Sequence, residues 1–461
     1  MLNKLALATL LALSWTGLTR ADGATDIGSR LELFVENSLI EKVFPPASLH
    51  QHQPVPQEVV LVTDAPWEGN TCAYYTVFRD DDIYRMYYRA SHSVESPTQF
   101  RHADFSCYAE SKDGIHWRKP KLGLFECHGS TDNNIIWSGD ATENFTPFKD
   151  ANPDCAPDAR YKAIGGLGEG GLYAFKSSDG IRWSLLSDKP VITNGSFDSQ
   201  NVAFWDPVER LYRDFHRMPR NGHRDVMTCT SKDFLTWTEP VFLEYPGAPQ
   251  EHLYTNAVRP YFRAPHILLG FPTRYQPKNS QVEPILMASR DRRTFQRWPQ
   301  ALIPITAPKD RDGNRSNYMT KGLVQLVDND RELSVYATEA YARGPDSRVR
   351  RFTFRTDGFV SVRSGDKPGE LLTKPVTFAG SRLEVNFVTR NGGKVRVELQ
   401  GADGSAIEGY ALTNCTPLIG DEIGQAVSWK GAPGIAALAG KPVRLRFELK
   451  NADVFSYRFR E

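Results

Sequence analysis

Apolar and polar residues alternate along much of this chain with the two-residue period of a β-strand. Segments such as Ile83–Arg89 and Leu211–His216 place alternate apolar or aromatic side chains on one face, which is the pattern of a half-buried strand. Ile267–Phe271 is a short apolar run of the kind found in fully buried strands. The chain also holds 9 Trp, 18 Tyr and 25 Phe beside 35 Gly and 30 Pro. This mixture of aromatic and turn-forming residues favours an all-β fold.

A turn motif with a central Asp and a terminal aromatic residue recurs along the chain. The Asp side chain is suited to cap the turn, the next position takes a permissive backbone conformation, and the aromatic ring packs between sheets. Four clear copies and a degenerate fifth occur at Ser111–Trp117, Ser177–Trp183, Ser231–Trp237, Ser289–Phe295 and Thr356–Phe359. Repetition at a nearly constant interval indicates a repeat architecture.

An Asn that precedes an apolar strand forms a second repeated unit, in step with the first. Its copies are Asn70, Asn144, Asn201, Asn256 and Asn317. Each repeat holds about four predicted strands, which is the content of one propeller blade. The sequence therefore predicts a five-bladed β-propeller with blades from about residue 63 to residue 363, and a single β-sandwich of similar length is the alternative.

The repeats stop after Arg363, where the chain changes character. Ser364–Gly369 has the composition of a linker, and alternating strands such as Val395–Leu399 and Val443–Leu449 follow it. We interpret residues 364–461 as a separate C-terminal β-sandwich.

The first residues have the composition of an export signal. Lys4 precedes the apolar run Leu5–Trp15, which is too short to span a bilayer, and Thr19–Ala21 offers small residues for cleavage. We interpret residues 1–21 as a signal peptide and residues 22–363 as the propeller with an N-terminal extension. We therefore expect a secreted or periplasmic protein that does not insert into a membrane.

The charge balance and the cysteines exclude several kinds of partner. Lys plus Arg number 56 and Asp plus Glu 55, so the chain lacks the excess of cations that binds nucleic acid. The six cysteines lie far apart without a CxxC pair, which disfavours a zinc site, and a Cys127–Cys155 disulfide is one of several pairings open to them. We expect no metal or other cofactor in the reaction, although a structural calcium ion is compatible with the sequence.

Carboxylates precede most of the predicted inner strands. A propeller gathers these positions at one mouth of its channel, so residues distant in sequence meet in space. The candidates are Glu68, Glu143, Asp198 and Glu251, with Asp150 as an alternative to Glu143. Two facing carboxyl groups are what glycoside cleavage requires, since one protonates the leaving oxygen and the other attacks or activates water.

Further polar residues near these loops are candidates for binding hydroxyl or carboxylate groups of a substrate. They are Asn70, Arg89, His92, Asn144, Asn201, His223, Arg224, Asp225, Asn256 and Arg274. Together with the carboxylates they predict an oligosaccharide or polysaccharide as the partner.

The repeat and the placement of its acids resemble the five-bladed propeller glycosidases, the superfamily of glycoside hydrolase families 32, 43, 68, 117 and 130, and in particular an exported bacterial member. Gly195–Asp198 followed by Val202–Asp206 is similar to the motif of the transition-state stabiliser. The resemblance then implies that Glu251 is the acid and that the third carboxylate is Glu143, Asp150 or Glu68. The Trp-Met-Asn-Asp-Pro-Asn-Gly stretch is missing, so fructan cleavage is not expected.

Two other functions stay open at this point. A sialidase would use three arginines, for which Arg89, Arg224 and Arg274 are available, but a sixth blade is missing. A non-catalytic carbohydrate-binding propeller would not need two converging acids. Carboxyl groups that face each other across a cavity at roughly 5–9.5 Å would favour the hydrolase, whereas acids scattered or paired with Arg would favour the binding protein.

Overall fold

The computed structural model describes residues 23–93, 102–166, 170–278, 280–304 and 318–461. Within these ranges the protein is almost entirely β, and its helices are three single turns of 3-10 helix at Thr142–Asn144, Pro157–Ala159 and Ala436–Leu438. Across the described ranges, no helix has the length and apolar character needed to cross a bilayer. The predicted signal peptide and Asn317 lie outside the described residues.

The first strands of the chain join sheets formed by residues much later in the sequence. They are β1 (Thr25–Gly28), β2 (Glu32–Leu33), β3 (Ile40–Phe44), β4 (Ser48–Gln51) and β5 (Val55–Val62). The first four belong to the C-terminal sheet, and β5 belongs to the last propeller blade.

Five separate sheets follow one another as the blades of a β-propeller, as the repeats predicted. The first blade contains β6 (Ala73–Asp80), β7 (Ile83–Ala90), β8 (Phe105–Ser111), β9 (Trp117–Arg118) and β10 (Ile135–Ser138). The second contains β11 (Thr146–Lys149), β12 (Tyr161–Gly166), β13 (Leu172–Ser177) and β14 (Ser184–Leu185). The third contains β15 (Val202–Asp206), β16 (Leu211–Arg220), β17 (His223–Ser231) and β18 (Val241–Phe242).

The last two blades are less regular. The fourth contains β19 (His252–Leu253), β20 (Arg259–Tyr261), β21 (Ala264–Gly270), β22 (Thr273–Gln276), β23 (Gln281–Ser289) and β24 (Gln296–Ala301). The fifth is built on β25 (Glu332–Glu339) and β26 (Arg348–Arg355). Its inner segment pairs with β25 through the bridges Met319–Ala337 and Val324–Ser334.

The ring closes by hydrogen bonds between its first and last blades. β5 pairs antiparallel with β26 and supplies the outer strand of the fifth blade. Near the axis, the Val77 N–H donates to the Lys321 carbonyl at 2.9 Å, and the Lys321 N–H donates to the Tyr75 carbonyl at 2.9 Å. The blades therefore begin before residue 63, because the closing strand precedes the first repeat in sequence.

The recurring Asp turns share one hydrogen-bond pattern. In the first copy, Asp113 Oδ1 accepts the N–H groups of Ile115 and His116 at 2.8 Å, and the Trp117 indole donates to the Gly114 carbonyl at 3.1 Å. The left-handed position of the turn, occupied by glycine in the first two copies, is taken by Phe234 and Arg292 in later ones, with φ of 68° at both. The Asp side chain, more than glycine, therefore defines the turn.

A second repeated contact joins neighbouring blades at the far ends of the inner strands. Asp80, Asp150 and Asp206 stand at these ends in blades one to three. Each carboxylate binds a cation on the second strand of its own blade and a polar group of the next blade. The partners are Arg85 and Tyr161 for Asp80, Lys162 and Tyr212 for Asp150, and Arg213 and Arg292 for Asp206. We call these three contacts the interblade pins.

A ten-stranded C-terminal sheet has its own hydrophobic core. It combines β1–β4 with β27 (Val360–Ser364), β28 (Gly369–Thr373), β29 (Val376–Phe378), β30 (Arg382–Gly401), β31 (Asp421–Ala426) and β32 (Val443–Arg460). The expected boundary at residue 364 therefore needs correction, since the N-terminal strands and β27 pair on the C-terminal side. Buried Asp357 links this sheet to the propeller by accepting hydrogen bonds from Tyr261 and Ser456.

Candidate active site

The loops that precede the inner strands meet at one mouth of the central channel, here called the funnel. Its wall contains four tyrosines, namely Tyr74, Tyr254, Tyr318 and Tyr341. The Tyr318 ring lies 5.9 Å from that of Tyr254 and 5.4 Å from that of Tyr341. Burial raises the pKa of Tyr74, Tyr318 and Tyr341 above the ordinary value. The four side chains offer O–H groups and apolar ring faces.

Glu143 enters the funnel from the single helical turn before β11. Its side chain is 26% exposed, and Arg89 Nη1 lies 3.8 Å from Glu143 Oε1. Burial raises the pKa of the Glu143 carboxyl. The negative charges of Asp104 and Asp198 also raise this pKa, whereas the positive charges of Arg89 and Arg217 lower it. Glu143 is thus a carboxyl group whose surroundings favour the protonated form.

Asp198 lies before β15 in the next blade and shares the funnel with Glu143. Its side chain is 52% exposed and forms an ion pair with Arg217, which is itself buried. The Arg217 guanidinium lies 5.1 Å from the Tyr254 ring centroid. The two carboxylates therefore differ in environment, with Asp198 open to water and held by a cation.

Two asparagines hold the loop that carries Asp198. The Asn144 amide donates to the Phe197 carbonyl, and the Asn201 amide donates to the same oxygen at 3.0 Å. Because Asn144 is adjacent to Glu143 in sequence, one side chain couples the positions of both carboxylates.

The base of the same loop packs tightly on β16. His216 Nε2 lies 3.0 Å from the Asn194 carbonyl. A Cβ added to Gly195 would stand 2.5 Å from the Phe197 ring and 2.7 Å from that of His216, so only glycine fits there. Among the described residues, one group has donor atoms close enough for a metal ion, namely Asp214, His216 and Cys229. Both nitrogens of His216 already have partners, and calcium prefers oxygen ligands. This group therefore does not fit a calcium site.

Arg224 is the funnel cation that lacks a carboxylate partner among the described residues. Its guanidinium lies 5.3 Å from the Tyr254 ring centroid and 4.9 Å from that of Tyr275. Its backbone N–H donates to His252 Nδ1 at 3.2 Å, and the rings of His252 and His223 lie 4.8 Å apart. The guanidinium of Arg224 is therefore held by aromatic rings and not by a carboxylate of the described residues.

Three of the predicted catalytic acids have fixed partners instead. Glu251 lies between Arg274 and Arg297, at 3.1 and 3.2 Å. Glu68 is completely buried and accepts hydrogen bonds from Tyr88 at 2.5 Å and Lys119 at 2.6 Å. Asp150 forms the second interblade pin. The structure does not bring these three together with Asp198.

The predicted binding residues divide in the same way. Asn70, Asn144, Asn201 and Asn256 are at most 3% exposed, and their amides bind backbone carbonyls, so they support the loops. Arg274 also pairs with Glu283 at 2.5 Å, and Asp225 pairs with Arg220 at 2.5 Å. The ring centroid of His92 lies 4.6 Å from that of His102, with the two ring planes tilted. The funnel itself receives Arg89 and Arg224.

Arg217 and Asp104 belong to the site, although the motifs did not single them out. Arg217 had a signal in the sequence, because superimposing Ile83-Tyr84-Arg85 on Leu211-Tyr212-Arg213 places Arg89 and Arg217 at equivalent positions. Asp104, which lies 3.9 Å from Arg89, has no counterpart in the repeat and was not predictable from it.

The six cysteines are all free, so the Cys127–Cys155 pairing that the sequence left open is not formed. Both residues are partly exposed. The sheets are therefore held by packing and hydrogen bonds, without covalent cross-links.

No protein-family model matches the chain, and no curated protein does. Among solved structures, one described as a glycoside hydrolase is 16% identical, with 65% of this chain and 92% of that chain covered and a TM-score of 0.45. A family 43 arabinoxylan arabinofuranohydrolase from Bacillus subtilis in complex with cellotetraose is 10% identical, with 86% and 96% covered and a TM-score of 0.43. An N-acetylgalactosamine deacetylase from F. plautii in complex with blood group B trisaccharide is 12% identical, with 68% and 96% covered and a TM-score of 0.46. The function is therefore inferred from the side chains of the funnel.

Proposed function

We propose that this chain is a secreted glycoside hydrolase with Glu143 and Asp198 as its catalytic carboxyl groups. The observation that carries the proposal is the unequal environment of the two acids in one funnel. Burial favours the protonated form of Glu143, whereas half-exposed Asp198 is held by Arg217. Two carboxyl groups in unequal environments are the pattern from which the roles of an acid and a base are assigned.

In the proposed reaction, Glu143 donates its proton to the glycosidic oxygen as that bond breaks. Asp198 attacks the anomeric carbon or removes a proton from the attacking water, according to its separation from Glu143 in the substrate complex. Asp198 is the acid that the sequence resemblance implied as stabiliser. Glu143 takes the role expected of Glu251, because Glu251 is held between two arginines.

The wall of the funnel supports a carbohydrate as substrate. Tyrosine rings present apolar faces to the C–H groups of a sugar, and their hydroxyls offer hydrogen bonds. Arg224 adds a guanidinium for a hydroxyl or a carboxylate. The three arginines that a sialidase would need are not equivalent here, since Arg89 and Arg274 have carboxylate partners.

A non-catalytic carbohydrate-binding propeller is the second candidate, and one observation favours it. Both funnel carboxylates lie within ion-pair distance of an arginine, and paired acids were expected of a binding protein. The Arg89–Glu143 contact is long at 3.8 Å, which leaves Glu143 able to exchange a proton.

The test is a screen of the purified protein on plant, algal and host oligosaccharides, with product release measured by chromatography. Glu143→Gln and Asp198→Asn should each lower turnover by at least about 100-fold with little change in thermal unfolding. Glu251→Gln is the matched control and should keep turnover. Glycan binding without product release would establish the binding protein instead, and loss of turnover only in Glu251→Gln would refute the assignment of the acid.

A further inference from the structure

The central channel has a second cavity at the end opposite the funnel. Its volume is about 290 Å³, and it is lined by the far ends of the inner strands, including Phe148, Phe204, Phe262, Arg259 and Lys321. The funnel loops precede the same strands, so the two sites are at opposite ends of the ring. The walls are mostly apolar rings. Four cations also line the cavity, Arg79 and Lys149 from blades one and two and Arg259 and Lys321 from blades four and five.

Lys321 is a buried cation without an ion-pair partner among the described residues. Only 6% of the residue is exposed, and its Nζ donates one hydrogen bond, to the Ala203 carbonyl at 2.9 Å. The ammonium lies 5.3 Å from the Phe148 ring centroid. Burial, together with the charge of Arg259, lowers the pKa of Lys321 to about 7.

Arg259 is a partly exposed cation that likewise has no ion-pair partner among the described residues. Its Nε is shielded from solvent and has no hydrogen-bond partner among the described residues. Burial lowers the pKa of Arg259 to about 10. A buried cationic donor with no acceptor is costly because its desolvation is not compensated, and a second cation beside it adds to that cost.

The other charged groups near the cavity already have partners. Lys149 binds Asp80 at 2.6 Å and Asp81 at 3.2 Å, and Arg79 Nε donates to the Asp81 carbonyl at 2.9 Å. Among the described residues, Asp214 is the acid whose charge acts on Lys321. Its Oδ1 contacts His216, its Oδ2 has no hydrogen-bond partner there, and burial raises the pKa of this carboxyl, which favours its neutral form. No carboxylate is among the described residues that line the cavity. The excess charge inside the cavity is therefore positive.

We infer that this cavity binds a small monovalent inorganic anion with the chemistry of chloride, held between the guanidinium of Arg259 and the ammonium of Lys321. The two donors point to an anion, and the phenylalanine and proline walls favour one that loses its hydration easily over a phosphate or sulfate dianion. Arg259 begins β20 in the fourth blade, and Lys321 of the fifth blade is hydrogen-bonded to the first blade. An anion between the two side chains would therefore join these three blades at the place where the ring closes.

Crystals of the wild-type protein soaked in sodium bromide give the direct test. An anomalous bromine peak between Arg259 Nε and Lys321 Nζ is expected. A map with bromide only at the protein surface would overturn the inference. This readout is independent of catalysis, so it does not depend on the proposed function.

Thermal unfolding gives the second test, with sodium chloride compared against sodium gluconate at the same ionic strength. The unfolding midpoint should rise by on the order of 2 °C for each tenfold increase in chloride once the site is more than half occupied. Lys321→Met should abolish this dependence, and Lys149→Met, which removes a paired cation from the same cavity, should keep it.

The chloride dependence of the unfolding midpoint should also be larger at pH 6 than at pH 9, because the anion stabilises protonated Lys321. Equal chloride dependence in wild type and Lys321→Met would refute the site.

Discussion

Replacing Asp150 by Asn separates a structural from a catalytic role for this residue. The Asp150 side chain has no exposed surface, and its ion-pair partner Lys162 is 7% exposed. The same carboxylate accepts a hydrogen bond from the Tyr212 hydroxyl of the next blade at 2.7 Å. In the Asn variant the hydroxyl keeps an acceptor, but the buried ammonium loses its counter-charge.

The magnitude follows from that uncompensated charge. Removing one partner of a buried ion pair costs about 3–5 kcal/mol, and the retained Tyr212 contact places the expected loss near the lower end of this range. Guanidinium unfolding should show it as a lower midpoint, and turnover per folded molecule should stay within about twofold of wild type.

The double variant Asp150→Asn, Lys162→Met supplies the control. It removes both charges, so it should recover at least half of the lost stability. Unchanged stability of the single variant, or loss of turnover without loss of stability, would show that Asp150 is not an interblade pin.

Three further predictions concern the funnel. The value of kcat/KM should fall as the pH rises through the raised pKa of Glu143, because the acid must be protonated. Arg89→Met removes a charge that lowers this pKa, so it should move the fall in kcat/KM to higher pH. A pH profile that does not move would exclude Glu143 as the acid. Arg224→Met should raise KM at least about tenfold with little change in kcat, while exposed Lys232→Met should change neither, and equal effects would remove Arg224 from the binding surface. Gly195→Ala should lower both turnover and the unfolding midpoint, at a cost of about 1–3 kcal/mol from overpacking, and wild-type kinetics in this variant would show that the loop tolerates displacement.

Much of the architecture was predictable because it depends on contacts that are local in sequence. The Asp turns form between residues two or three positions apart, and the alternation of strands repeats in every blade. The fifth turn was degenerate in sequence, and its Asp357 instead binds Tyr261 and Ser456 across domains. A local motif loses its predictive value where a distant partner takes over the side chain.

The choice among the candidate acids was less predictable for the same reason. Glu68, Glu143 and Asp198 occupy similar positions before inner strands, and they differ in the cations that surround them. Lys119 reaches Glu68 from 51 residues further along the chain. Such partners come from strand ends and loops that differ between repeats, so no repeat pattern reveals them.

The periodicity of the chain by itself determined the β-strands, the turns and the number of blades, because hydrophobic alternation and Asp capping act over a few residues. Only the tertiary structure decided which carboxylates face water, how β5 closes the ring and why Arg259 and Lys321 share a cavity. These outcomes depend on burial and on charges brought together from distant blades, and neither is written in any one segment of the sequence.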